Sequence, residues 1–441
     1  MESQTKLRRQ LARFQTQVFE RSKEVSAEDV ETWLEDDRKE ATRFGQRGHK
    51  EFGGSAEFPA HGGPRKLLEY QNEVLSVTRE LIKAGESCII SLPTGAGKTT
   101  TGVHLMFEAL KLGCTRLAWL APQRLLIEQA YLEFGQAWWT VRQTTSVRVC
   151  DVEHFRPDQV DDSVAEITFD TLQKWLRVPR GTPAPELVII DECHHIEANE
   201  FGRLVDRLRQ RGAAVIGLSA TPGRTFESEG GALRRRFGGN LVFPKALGEE
   251  PVEALQRRGV YSRLRYQQLE PLYSSDREIV QRRRGGISPS LAAQSAGRLD
   301  SILEYVRYDA TDRKGIVFGY SIAQCHVIAA GIYKNGYSVS VVDSDKPQNV
   351  NRRRIAAFLS NETQFLVNVR YLAVGADLPS ADLAILSVPI GSPIFFEQII
   401  GRVCRGPLVG GGEESIIADF DDHIGRYGLP RGYARFKGEW A

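Results

Sequence analysis

The chain has 441 residues, 41% hydrophobic and 26% charged, with 58 basic against 56 acidic side chains and a formal net charge of +2. Against a usual domain size of roughly 100 to 200 residues, this predicts two or three folded domains and excludes a lone binding module, a disordered chain and a fibrous one. The longest apolar runs, such as Leu187–Ile190 and Val215–Leu218, are far shorter than the roughly 18 residues that cross a bilayer, so no membrane partner is expected.

The N-terminus carries Lys6, Arg8 and Arg9 without the apolar stretch of a secretory signal, and the six cysteines form no CxxC pair. Both features predict a cytoplasmic protein with reduced thiols and no zinc site. Arginine outnumbers lysine 44 to 14, with clusters at 234–236, 282–284 and 352–354 that are candidates for lining a phosphate-binding groove.

From Lys6 to Phe44, apolar residues (Leu7, Leu11, Phe14, Val18, Val30, Trp33, Leu34) recur every three or four positions in a charged background, which predicts helices. These either pack on the main body or dock a protein partner. Residues 45–64 hold six glycines and two prolines, a composition poor for helix or strand, so a flexible boundary is expected near Pro64. Beyond Leu67, Cys88–Leu92, Arg116–Ala121, Leu187–Ile190 and Val215–Leu218 read as buried strands separated by amphipathic segments. The alternation predicts a parallel sheet with helices on both faces. It resumes after residue 300 with candidate strands Gly315–Phe318, Ser338–Val342, Gln364–Val369, Leu383–Val388 and Ser415–Ala418. The expected fold is α/β, with a helical, charged extension and linker (1–64), a first domain (65–225), an interdomain connection (226–300) and a second domain (301–441).

Pro93-Thr94-Gly95-Ala96-Gly97-Lys98-Thr99-Thr100 follows a predicted strand and opens a predicted helix, the context a phosphate-binding loop requires. The glycines let backbone N–H groups turn toward phosphates, Lys98 reaches the terminal phosphates, and the Thr99 hydroxyl can hold Mg²⁺. Leu92 stands where the strict pattern has glycine. Asp191-Glu192-Cys193-His194-His195 ends the strand Leu187–Ile190. At that edge of a parallel sheet Asp191 can hold Mg²⁺, and Glu192 can take a proton from water attacking the γ-phosphate. ATP and Mg²⁺ are the expected ligands.

With these two motifs in place, the rest of the chain resembles a superfamily 2 helicase of DEAD/DEAH type, over about residues 65 to 430. The resemblance implies two tandem RecA-like domains with ATP bound between them. It makes Gln71, in Leu68-Glu69-Tyr70-Gln71, the adenine-reading residue. It assigns nucleic-acid contact to Pro122, Gln123 and Arg124, to Thr168 and Thr171, and to Arg370, and coupling of ATP state to strand to Ser219, Ala220 and Thr221. In the second half, Gly375 and Asp377 of Gly-Ala-Asp-Leu-Pro belong at the nucleotide. Gln398, Arg402 and Arg405 of Gln398–Arg405 match Q-x-x-G-R-x-x-R, with Arg405 as arginine finger, Arg402 its partner and Gln398 at the γ-phosphate.

Within the superfamily the likeness is to type III restriction motors and excision-repair helicases, carried by Phe395–Arg405 and Ile416–Asp422. It implies a helicase or translocase, on DNA ahead of RNA, serving repair or restriction-type defence. Any cutting would be done in trans by a nuclease partner, since no D…E-x-K arrangement stands at either end. Val369 and Arg370 replace the family's threonine and aspartate, a departure that also admits an ATP-gated duplex sensor or clamp that recruits an effector without unwinding.

Overall fold

In the computed structural model the described residues are 7, 9–12, 14, 18–46, 55–58, 67–139, 146–151, 164–179, 181–194, 199–222, 233–283, 286–369, 381–390 and 392–422. The chain forms two compact units, one built on Glu51–Leu255, the other combining Met1–Lys50 with Gln256–Pro430. Helix α1 (Ala27–Gln46) therefore belongs to the second unit, although it precedes the first in sequence.

The first unit is an eight-stranded sheet. Its strands are β1 (Ser55–Phe58), β2 (Cys88–Ser91), β3 (Arg116–Ala121), β4 (Ser146–Cys150), β5 (Val164–Thr171), β6 (Leu187–Ile190), β7 (Ala214–Ser219) and β8 (Leu241–Val242). They lie in the order β1-β4-β5-β3-β6-β7-β2-β8, and β1 alone pairs antiparallel, with β4. β2, β6 and β7 are buried along their whole length, as parallel strands covered on both faces must be. Helices α2 (Glu69–Lys83), α3 (Lys98–Lys111), α4 (Arg124–Trp138), α5 (Leu172–Leu176) and α6 (Asn199–Gln210) follow in chain order.

Helix α7 (Pro251–Arg257) begins in the first unit and runs across its boundary at Leu255. The second unit adds the short helices α8 (Asp276–Arg283) and α9 (Pro289–Ala293), with α10 (Ala296–Tyr308), α11 (Ile322–Lys334), α12 (Gln348–Leu359) and α13 (Pro393–Val403). Its sheet comprises β9 (Arg263–Gln268), β10 (Gly315–Phe318), β11 (Val339–Val342), β12 (Phe365–Asn368), β13 (Leu383–Leu386) and β14 (Glu414–Asp419), all parallel, in the order β11-β12-β10-β13-β14-β9. Serines cap its helices: Ser295, Ser321 and Ser392 accept from the backbone N–H three residues on, satisfying an otherwise orphaned donor. Both units are the parallel-sheet architecture expected from the alternating pattern.

Some elements escape that pattern. β1 lies inside the Gly- and Pro-rich stretch, where four extended residues at a sheet edge need only one partner strand. β5 carries Glu166 and Asp170 among its apolar residues, yet Glu166 is buried and paired with Arg148 at 2.7 Å. The stretch 226–300 supplies an edge strand to each sheet, β8 to the first and β9 to the second.

The N-terminal extension is built into the second core. Phe14, Val18, Val25, Val30, Trp33 and Leu34 are buried in one cluster with Leu303, Val317, Ile328 and Val367. α1 packs on α11 and α12. At Gly331 of α11, a β-carbon would come within 2.8 Å of Val25 Cγ2, so glycine permits the close approach. Polar contacts fix the rest. Lys23 N donates to Asp300 at 2.7 Å, Tyr273 Oη to the Arg21 carbonyl at 2.6 Å, and Arg354, wholly buried, pairs with Asp37 and Glu40 at 2.8 Å each. The apolar face proposed as a partner dock is thus occupied within the unit, because burying Trp33 and its neighbours is worth more than leaving them in water.

Candidate nucleotide and nucleic-acid site

Strand β2 ends at Ser91, and the chain turns through Leu92–Gly97 into α3. Gly95 and Gly97 adopt φ of +88° and +81°, a left-handed backbone that side chains other than glycine rarely take. Gly97 is itself the N-cap of α3, with no side-chain cap, so the first-turn N–H groups and the positive end of the helix dipole are left for a ligand. Ala96 N donates to the Pro93 carbonyl at 3.0 Å and closes the turn. Lys98 and Thr94 are buried at this turn, and Thr99 and Thr100 are half-buried.

Residues of α2 hold the loop from the side. Tyr70 Oη donates to the Ala96 carbonyl at 2.8 Å, and Gln71 Nε2 to the Gly97 carbonyl at 3.4 Å, while Gln71 Oε1 accepts from Leu68 N at 3.0 Å. Gln71 therefore stands at the loop. Tyr70 is a loop-positioning residue that the motif reading passed over, although it adjoins Gln71.

The acidic pair leaves β6 through a strained turn. Glu192 has φ +47°, and its N–H donates to Asp191 Oδ1 at 2.9 Å. Both carboxylates are nearly buried, at 2% and 5% exposure. His194 Nδ1 lies 3.4 Å from Glu192 Oε2 and 3.1 Å from Ser219 Oγ. Ser219 Oγ also accepts from Thr221 N at 3.0 Å, and the Ser219 carbonyl accepts from Leu92 N at 3.3 Å. One serine thus joins the phosphate loop, the acidic motif and the Ser-Ala-Thr motif, which end the adjacent strands β2, β6 and β7. Ala220 and Thr221 are buried beside it. Cys193 is fully buried, and burial pushes its thiol well above the usual range, so it is a packing residue. The Thr99 hydroxyl and Asp191 carboxylate are hard oxygen donors suited to Mg²⁺.

Farther along the same sheet edge, Pro122, Gln123 and Arg124 leave β3 and open α4, with Gln123 as N-cap. Thr171 ends β5 and caps α5, accepting from Lys174 N at 3.4 Å. Gln173 Nε2 donates to the Pro122 carbonyl at 3.3 Å, so the two turns form one surface. The motif reading missed Gln173, two residues past Thr171. Thr168 lies within β5 at 0% exposure, so this structure does not set it on the surface that the two turns form.

In the second unit, Gln398 and Arg402 are one turn apart on α13, hence on one face. Arg405 follows the helix end, its N–H donating to the Val403 carbonyl at 2.8 Å. Arg370, Gly375, Asp377 and His195 lie outside the described residues. One arginine of each cluster is engaged internally: Arg236 faces Asp206 at 3.6 Å, Arg282 faces Glu270 at 3.7 Å, and Arg354 is buried against α1, whereas Arg235 and Arg283 are exposed.

The fold and this edge define an ATP-binding, two-unit parallel-sheet protein. The family model "Type III restriction enzyme, res subunit" matches residues 65–224, and "Helicase conserved C-terminal domain" matches 297–406. The chain belongs to the superfamily 2 helicases and is related to restriction motors. It is 25% identical to "Probable ATP-dependent helicase MJ1401" of Methanocaldococcus jannaschii over 78% of this chain and 40% of that protein. The chain spans less than half the length of that relative. Its fold is similar to that of the "ATP-dependent Type ISP restriction-modification enzyme LlaBIII bound to DNA", with TM-score 0.55 and 17% identity over 80% of this chain and 28% of that one. It is also similar to "S. cerevisiae Dbp5 L327V bound to RNA and ADP BeF3", with TM-score 0.52 and 14% identity over 80% and 87%. Among the described residues no helix is long and apolar enough to cross a membrane.

Proposed function

We propose that this chain is a nucleic-acid-stimulated ATPase that translocates along or unwinds its substrate, with DNA favoured over RNA. The observation that carries the reading is Ser219, bonded on one side to Leu92, which leads into the phosphate loop, and on the other to the His194–Glu192 pair. A change in nucleotide state sensed by either motif reaches the Ser-Ala-Thr segment through a single hydroxyl and its carbonyl.

In this reading the loop 93–100 binds the phosphates of ATP, Gln71 reads adenine, and Glu192 is the general base that takes a proton from the attacking water. Mg²⁺, held by Thr99 and Asp191, would neutralise charge on the phosphate oxygens. Gln398, Arg402 and Arg405 stabilise charge on the transferring phosphoryl group, with Gly375 and Asp377 assisting at the nucleotide. The joined turns at Pro122–Arg124 and Thr171, together with Arg370, grip the backbone of the nucleic acid. Preference for DNA rests on the restriction-subunit family model and on the DNA-bound restriction–modification relative. Restriction-type defence or repair is the proposed setting, the cytoplasm the proposed place, and a nuclease acting in trans the proposed protein partner.

The test is steady-state ATPase with single-stranded and duplex DNA and RNA. Lys98→Ala, which removes a positive charge from the terminal phosphates, and Glu192→Gln, which removes the general base, should each lower stimulated turnover by at least about 100-fold. Stimulated activity retained by either variant overturns the site. Val369 and Arg370, standing where the family has threonine and aspartate, favour a second reading as a duplex clamp; stimulation by duplex without strand displacement would select it.

A further inference from the structure

Among the described residues of the second unit three tyrosines are exposed: Tyr308, Tyr320 and Tyr333. Tyr333 bonds Asp36 at 2.9 Å and packs its ring on Trp33, and Tyr308 lies at the end of α10 beneath the Arg307 guanidinium. Both belong to the packing around α1 and α10. Tyr320 is placed differently. It stands two residues past the carboxyl end of β10, the edge at which open parallel sheets bind their ligands, and it is 47% exposed.

Its backbone is pinned. Gly319 N donates to the Asn368 carbonyl at 2.8 Å, tying the turn to β12, and Ser387 Oγ donates to the Phe318 carbonyl at 2.8 Å, tying it to the segment after β13. Tyr320 N donates to Gln324 Oε1 at 2.7 Å. Gln324 is only 6% exposed, and its own N–H is capped by Ser321 Oγ at 3.2 Å. A buried amide and three strands' worth of hydrogen bonds thus fix a turn whose one large side chain faces water. A phenol carries no charge with which to hold phosphate. It does offer a flat face on which any base can stack.

We propose that Tyr320 is a stacking platform for a base of a single strand crossing the carboxyl edge of the second sheet. This rests on the reading of the chain as a nucleic-acid-dependent ATPase. It adds a contact to the bases, independent of their identity, to a grip otherwise made on phosphates.

The test uses the full chain, Tyr320→Ala and Tyr320→Phe, with one single-stranded oligonucleotide in intact form and with consecutive abasic positions. Binding is read by fluorescence anisotropy, and thermal unfolding of each variant checks the fold. Tyr320→Ala should weaken binding of the intact strand by about 5- to 150-fold, while Tyr320→Phe stays within about 2-fold of the parent. Abasic positions should weaken the parent similarly and leave Tyr320→Ala little changed. Equal binding of the intact strand by Tyr320→Ala and the parent overturns the proposal, as does an abasic penalty undiminished in Tyr320→Ala. A parent protein that binds no strand and whose ATPase ignores every nucleic acid would instead overturn the underlying reading, and is recognised without any variant.

Discussion

His326 illustrates how a single residue can set the pH response of a domain. Trp33 Nε1 donates to His326 Nδ1 at 3.0 Å, so that nitrogen carries no proton in the folded chain. Burial, aided by Lys346 and Arg354 and opposed by Asp37 and Asp343, pushes the imidazole down from 6.5 to about 4. The unfolded histidine takes up a proton near pH 6.5, whereas the folded one does so only near 4. Stability from this residue is therefore full above pH 6.5 and is lost as pH falls toward 4, by about 3 kcal/mol at most. Melting temperature followed from pH 7.5 to 4.5 should fall less steeply in His326→Gln than in the parent, and identical profiles would contradict this account. Asp37 does not share that window: burial would raise its carboxyl, but Arg354 and Lys346 outweigh burial and hold it below the usual value.

At the scale of the element, α1 is the helix whose allegiance matters most. It lies outside both family matches, which begin at residue 65, yet its apolar face completes the core of the second unit. Trp33 is 3% exposed and contacts both His326 and Tyr333. Trp33→Ala should destabilise the second unit by about 3 to 5 kcal/mol, the range for deleting a buried aromatic side chain. Urea unfolding followed by hydrogen exchange in α11 and α12 would register it. Unchanged protection there would mean that α1 is only laid on the surface. Arg354 reinforces the attachment, since a fully buried guanidinium must keep Asp37 and Glu40 as partners. Its neighbours in sequence gave no hint of this.

For the molecule as a whole, a net charge of +2 supplies little long-range attraction to nucleic acid. One arginine of each cluster, Arg236, Arg282 and Arg354, is held in an ion pair within its own unit, and the proposed grip is assigned to local turns such as Pro122–Arg124. Phosphate contacts of this kind release counterions, and the apparent affinity in ATPase stimulation should fall linearly with salt on logarithmic axes, whatever the base sequence. Affinity that is flat from 50 to 200 mM salt would argue against a phosphate grip.

The sequence by itself determined the class of each sheet and the place of the glycine-rich and acidic motifs at strand ends. Runs such as Arg116–Ala121, Leu187–Ile190 and Gly315–Phe318 are strands with those same bounds, because strands buried on both faces are apolar throughout. The glycines at 95 and 97 marked a turn whose N–H groups face a ligand, and both take the left-handed backbone that few other residues tolerate. Tertiary structure alone decided that α1 joins the second unit, that Thr168 turns inward, and that Ser219 meets His194. Those outcomes depend on contacts between residues far apart in the chain: Arg354 Nη2 reaches the Asp37 carbonyl across 317 positions. Periodicity records how a segment divides between water and core; which core it enters is settled only when the complementary surface has folded.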